Sequence, residues 1–133
     1  MSFEPTYGYT RTLNGTSYDH AKDKVTEALK AEGFGVLTEI DVKATFKKKL
    51  DVDFRPYVIL GACNPTLAHK ALSSELPIGL LLPCNVVVTE DDAGNAIVSM
   101  VNPREMFRVV ENAELEAIAG EVDARIKRVV EAL

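Results

Sequence analysis

Cysteine and histidine are scarce in this sequence, two of each, and tryptophan is absent. So few thiols and imidazoles exclude a disulfide-stapled scaffold and a self-contained zinc module. Basic charge is also short, with 15 Lys and Arg against 20 Asp and Glu and a formal charge of −5. No basic field is left over to neutralise phosphates, so nucleic acid is not an expected partner. Long hydrophobic runs are missing as well. The longest, Pro77 to Val88, is broken by Pro83 and Asn85, and it falls short of the ~20 residues a membrane helix needs. The opening Met1-Ser2-Phe3-Glu4-Pro5 carries neither the positive nor the apolar region of a secretory signal. A cytoplasmic chain with reduced thiols and no membrane contact is the expectation.

What is present is ordinary globular composition. At 133 residues, 47% hydrophobic and 26% charged, the chain has the length and apolar content of one domain, residues 1–133, around one core. No repeat, low-complexity tract or linker divides it. Tyr7 to Leu13 alternates aromatic and threonine positions before Asn14-Gly15 and reads as a first strand. From Thr16 to Glu32 the period becomes helical: Tyr18, Ala21, Val25, Ala28 and Leu29 form one stripe. Thr16 with Asp19 suggests a capping box, and Gly33 a left-handed stop.

Gly35 to Ile40 reads as a short strand, followed by Asp41 as N-cap of a short helix through Leu50. Tyr57 to Cys63 is almost wholly apolar, as suits a central strand covered on both faces. Asn64-Pro65 then opens a helix to Ser74, with an extended return over Leu76–Pro83. Asn85 to Glu90 and Ala96 to Val101 flank the turn Asp91-Asp92-Ala93-Gly94, which predicts a hairpin. Asn112 caps the last helix, to Leu133, whose apolar residues recur every three and four. The order predicts an α+β fold: a curled, mainly antiparallel sheet with helices packed mostly on one face.

Recognisable catalytic or phosphate-binding patterns are absent: no Gly-x-Gly-x-x-Gly, no phosphate loop, no Gly-x-Ser-x-Gly. The candidate site is therefore the pair of blocks around Cys63-Asn64 and Cys84. Cys63 ends a strand just before a helix whose first N–H groups lack partners, a position that lowers a thiol pKa and favours anions. Against this stands the commoner role of free cysteine as a small buried apolar residue. His20 and His69 sit at no ligand spacing to either cysteine, so no metal site is expected. Glu39 and Asp41 share a strand face and form a second candidate for acid–base work or ligand contact, with capping as the simpler role of Asp41.

At Gly33-Phe34, Glu39-Ile40-Asp41-Val42, Ile59-Leu60-Gly61-Ala62-Cys63-Asn64-Pro65 and Gly79 to Val88, the sequence resembles the domain of unknown function 302 family over nearly its whole length. The resemblance implies a compact α+β domain, similar to half of a TATA-binding-protein-like fold (β-α-β(4)-α), to which the residue reading above adds a short extra helix after strand 2 and a helix between strands 3 and 4. It also implies pairing as a homodimer. It places the family signature on Cys63, Asn64, Pro65, Pro83 and Cys84, with Glu39 and Asp41 in a further block, and it brings no activity, cofactor or residue role.

Two functions follow as expectations. One is a binding domain for a small ligand or partner near the Cys63/Cys84 end of the sheet, using Cys63, Asn64, Cys84, Glu39 and Asp41. The other is a thiol-dependent redox or metal-handling enzyme using Cys63. Excess apolar surface in the strands favours a closed two-fold dimer.

Overall fold

The computed structural model describes residues 3–133. Five strands, β1 (Gly8–Leu13), β2 (Gly35–Asp41), β3 (Tyr57–Cys63), β4 (Cys84–Glu90) and β5 (Ala96–Val101), form one open sheet in the order β1-β5-β4-β3-β2. Every neighbouring pair is antiparallel. Helices α1 (Tyr18–Ala31), α2 (Val42–Leu50), α3 (Pro65–Ser74), α4 (Pro103–Phe107) and α5 (Ala113–Glu131) complete the α+β fold.

Alternation decides which residues meet the helices. Val58, Leu60 and Ala62 of β3, Val86 and Val88 of β4, and Val98 and Met100 of β5 point to one face. There they bury against Val25 and Leu29 of α1 and Val122, Ile126 and Val129 of α5. A smaller cluster of Ala71, Ile78, Phe107, Leu115 and Ala119 closes the end where α3, α4 and the start of α5 converge. No helix among the described residues is long and apolar enough to cross a membrane.

The caps explain most of the boundaries. Asp41, Asn64 and Asn112 each accept a backbone N–H from the first turn of the helix they open, from Ala44 at 2.9 Å, Leu67 at 3.2 Å and Glu114 at 3.0 Å. Gly33 ends the first helical region in the left-handed conformation, φ +83°. In α1 the cap is Ser17, which accepts from His20 N at 3.2 Å, rather than the expected Thr16.

Three further expectations are corrected. The return over Leu76–Pro83 is not extended: Leu76–Leu81 forms a 3-10 helix that buries Ile78 in the second cluster. Asn102-Pro103 and Arg104, which from sequence read equally as a strand-ending turn or a pocket mouth, continue into α4, because Asn102 accepts from both Arg104 N and Glu105 N. Strand β3 is second from an edge rather than central, and only its helix-facing side is fully buried.

The register defines the other face. Gly8, Val101, Asn85, Gly61 and Thr38 lie in one row across the five strands, and Thr10, Ser99, Val87, Ile59 and Ile40 in the next. This face is only partly covered, and β2 is exposed along all seven of its residues.

Candidate functional site

The sheet brings Cys63, Asn64 and Cys84 together. Cys84 pairs with Ala62, one residue before Cys63, and both thiols are free. With Asn64, Leu67 and Phe107 they line a void of about 30 Å³, room for water but not for an organic ligand. Burial raises the Cys63 thiol above its ordinary pKa. Burial, with the adjacent Cys63 as a lesser cause, pushes Cys84 up to about 11. The expected lowering at the α3 N-terminus is therefore not met, because desolvation outweighs the helix end. Asn64 plays a structural part. Its side chain caps α3, and its amide nitrogen packs so tightly on Gly33 that a Cβ there would lie 2.9 Å away.

Glu39 and Asp41 lie elsewhere and do different work. Asp41 caps α2, while Glu39 forms an ion pair with Lys22 of α1 across the helix-facing side. Neither carboxylate reaches the cysteines' void. Among the described residues no group of three or more His, Cys, Asp or Glu is placed to hold a metal.

The larger concavity lies on the open face. The segment before β1 folds back over the sheet because Gly8 allows close approach: a Cβ there would meet Ser99 Oγ at 3.0 Å and Pro5 Cγ at 3.3 Å. Between this segment and the sheet runs a groove of about 570 Å³, within the range of small-molecule sites. Its floor is Val87, Val101 and Ser99, and its walls are Phe3, Pro5, Tyr7 and Tyr57. Asn85, exposed and directly after Cys84, marks the end nearest the cysteines. Ser99 Oγ lies 2.8 Å from Thr10 Oγ1, so that hydroxyl is oriented by its neighbour. Burial, and secondarily the nearby Tyr7, holds the Tyr57 phenol above its ordinary pKa.

Sequence reasoning missed this groove, since Tyr7, Tyr57, Asn85 and Ser99 come from four separated segments. The only signal was the period-2 alternation of β4 and β5, which places Asn85, Val87, Ser99 and Val101 on one face. It also missed Asp123, a buried aspartate of α5. Its carboxylate accepts from the Tyr9 hydroxyl and pairs with Arg104 at 3.3 Å and Lys127 at 3.2 Å.

An open antiparallel sheet with α1 and α5 packed on one face and a groove on the other defines an α+β domain. The family model described as "Domain of unknown function DUF302" matches residues 9–133, and the chain belongs to that family. A crystal structure of an uncharacterized conserved DUF302 protein from Bacillus stearothermophilus is similar to it, with a TM-score of 0.87 and 30% sequence identity. That likeness covers 96% of this chain and 98% of the other. Among curated proteins none matches.

Proposed function

We propose that this chain is a binding domain for a small molecule held in the open-face groove. The observation that carries the reading is the combination of about 570 Å³ of space with an apolar floor and a few convergent polar groups, the composition small-molecule sites use. The groove reaches the cysteine end of the sheet through Asn85, which pairs with Gly61 two residues before Cys63. In this reading Cys63, Asn64 and Cys84 shape that end by packing, and the ligand meets Asn85 rather than the thiols. The alternative, a thiol-dependent enzyme using Cys63, is disfavoured by the upward shift of both thiols, which leaves little thiolate near neutral pH.

A homodimer and a cytoplasmic setting belong to the same proposal. Strand β2 is an uncovered edge, and Leu37 and Ile40 on it, with Leu50, Val52 and Phe54 beyond it, are exposed large apolar residues. A second copy laid along β2 would cover them and leave the groove, none of whose lining residues belongs to β2, open. Free thiols suit a reducing compartment.

The test is mass spectrometry of small molecules released from the purified chain and from a Val87→Trp variant, whose added ring fills the groove floor. The reading expects a compound that co-purifies with the native chain and is lost from the variant. A compound retained equally by both would place binding elsewhere.

A further inference from the structure

We propose that the groove selects a small organic cation, an alkylated ammonium carrying a hydroxyl or similar polar group. The inference rests on the groove being a ligand site and adds the chemistry of the ligand. Three aromatic side chains, Phe3, Tyr7 and Tyr57, wall it, and Glu4 is the one charged side chain among the described residues that line it. Neither Lys, Arg nor His is among them.

That composition discriminates by charge. An anion entering the groove would give up water without a positive partner and would approach the Glu4 carboxylate, both unfavourable. A neutral apolar molecule would use Val87 and Val101 and gain nothing from Glu4. An alkylammonium uses every wall: its diffuse charge is attracted to the negative faces of the aromatic rings and to Glu4, while its alkyl groups rest on the valines. Ser99 at the floor and Asn85 at the end can bond a hydroxyl carried beside the charge. The net charge of −5 on the whole chain adds a field of the same sign. An amine alkylated on nitrogen fits better than a bare ammonium, because it leaves water more readily and matches the apolar floor.

The experiment compares choline with 3,3-dimethylbutan-1-ol, the neutral carbon analogue of the same shape, by calorimetric titration of the full chain. Backbone amide shifts of Val87, Ser99 and Val101 are followed in parallel. Choline is expected to bind about tenfold tighter than the neutral analogue, the scale of a cation–π contribution. Glu4→Gln is expected to weaken choline and leave the analogue unchanged. Tyr57→Phe is expected to bind choline better than Tyr57→Leu, with thermal melts showing that all variants fold. Equal binding of the two compounds, or binding of the analogue alone, would overturn the cation proposal while the groove remained a site. No response to either, together with a neutral or anionic compound that co-purifies and shifts the same amides, would do likewise. No response and no co-purifying compound would remove both the cation and the groove reading.

Discussion

Asp123 shows how a single residue is kept charged inside this fold. Its burial, the largest influence on it, pushes its pKa upward, but hydrogen bonds from Tyr9, Lys127 and Arg104 together outweigh this and hold it below the ordinary carboxylate value. A folded pKa below the unfolded one stabilises the protein above the unfolded value, near 4, and that contribution is lost as pH falls through the folded value. Chemical denaturation followed from pH 6 down to pH 2 is expected to show this loss, and Asp123→Asn to show less of it. At pH 7 the substitution is expected to cost about 1–3 kcal/mol, since Tyr9 loses a charged partner while Arg104 and Lys127 still reach water. A flat profile in both proteins would contradict the assignment. The cysteines give a second test at this scale. Raised thiol pKa values predict slow iodoacetamide modification at pH 7, with the partly exposed Cys63 reacting before the buried Cys84. Fast reaction of Cys63 below pH 7 would restore the thiol enzyme.

Among the glycines, the one with least room for a side chain between elements is Gly61. A Cβ there would collide with Thr38 Oγ1 of β2 and come within 2.8 Å of Pro83 Cγ, whereas one at Gly35 would meet nothing within 4 Å. Gly61→Ala is therefore expected to cost about 1–3 kcal/mol, and Gly35→Ala to stay within about 0.5 kcal/mol, measured by urea unfolding. Equal effects would show that β2 gives way at Thr38. Elements of this kind were legible in the sequence where one local cause dominates. The stripes of α1 and α5, the Asp41 and Asn64 caps and the Asp91–Gly94 turn each rest on residues within a few positions of one another. The 3-10 helix at Leu76–Leu81 was not legible, because six residues with Gly79 among them are too few to show a helical period, and the packing of Ile78 in the cluster with Phe107 and Leu115 comes from distant segments. The Thr16/Ser17 choice is of the same kind: two hydroxyl residues adjoin, and backbone geometry decides between them.

At the scale of the whole molecule, what the sequence could not show is what depends on distant segments meeting. Chain length alone allows Cys63 and Cys84 to approach, and the register sets Cys84 opposite Ala62, one residue before Cys63. The burial that raises their pKa values comes from the surroundings and could not be read from strand and helix ends. The groove needs the segment around Tyr7 folded across Val87 and Ser99, roughly 80 and 90 positions away along the chain. Pairing of β2 edges is a further whole-molecule expectation. Sedimentation at micromolar concentration should give a mass twice that of the 14.5 kDa chain. Ile40→Lys with Leu37→Lys should return it to one chain by placing charge on the exposed edge. A single-chain mass for the native protein would contradict the dimer and leave the groove untouched.

The central claim, that the open-face groove is the binding site, is tested most directly by backbone amide shifts of the labelled chain against a panel of cationic, neutral and anionic small molecules. The account predicts that at least one class shifts Tyr57, Asn85, Val87, Ser99 and Val101 together, saturably, and leaves Cys63, Asn64 and Leu67 in place. Saturable shifts centred on Cys63 and Asn64, with the groove residues unmoved, would contradict it.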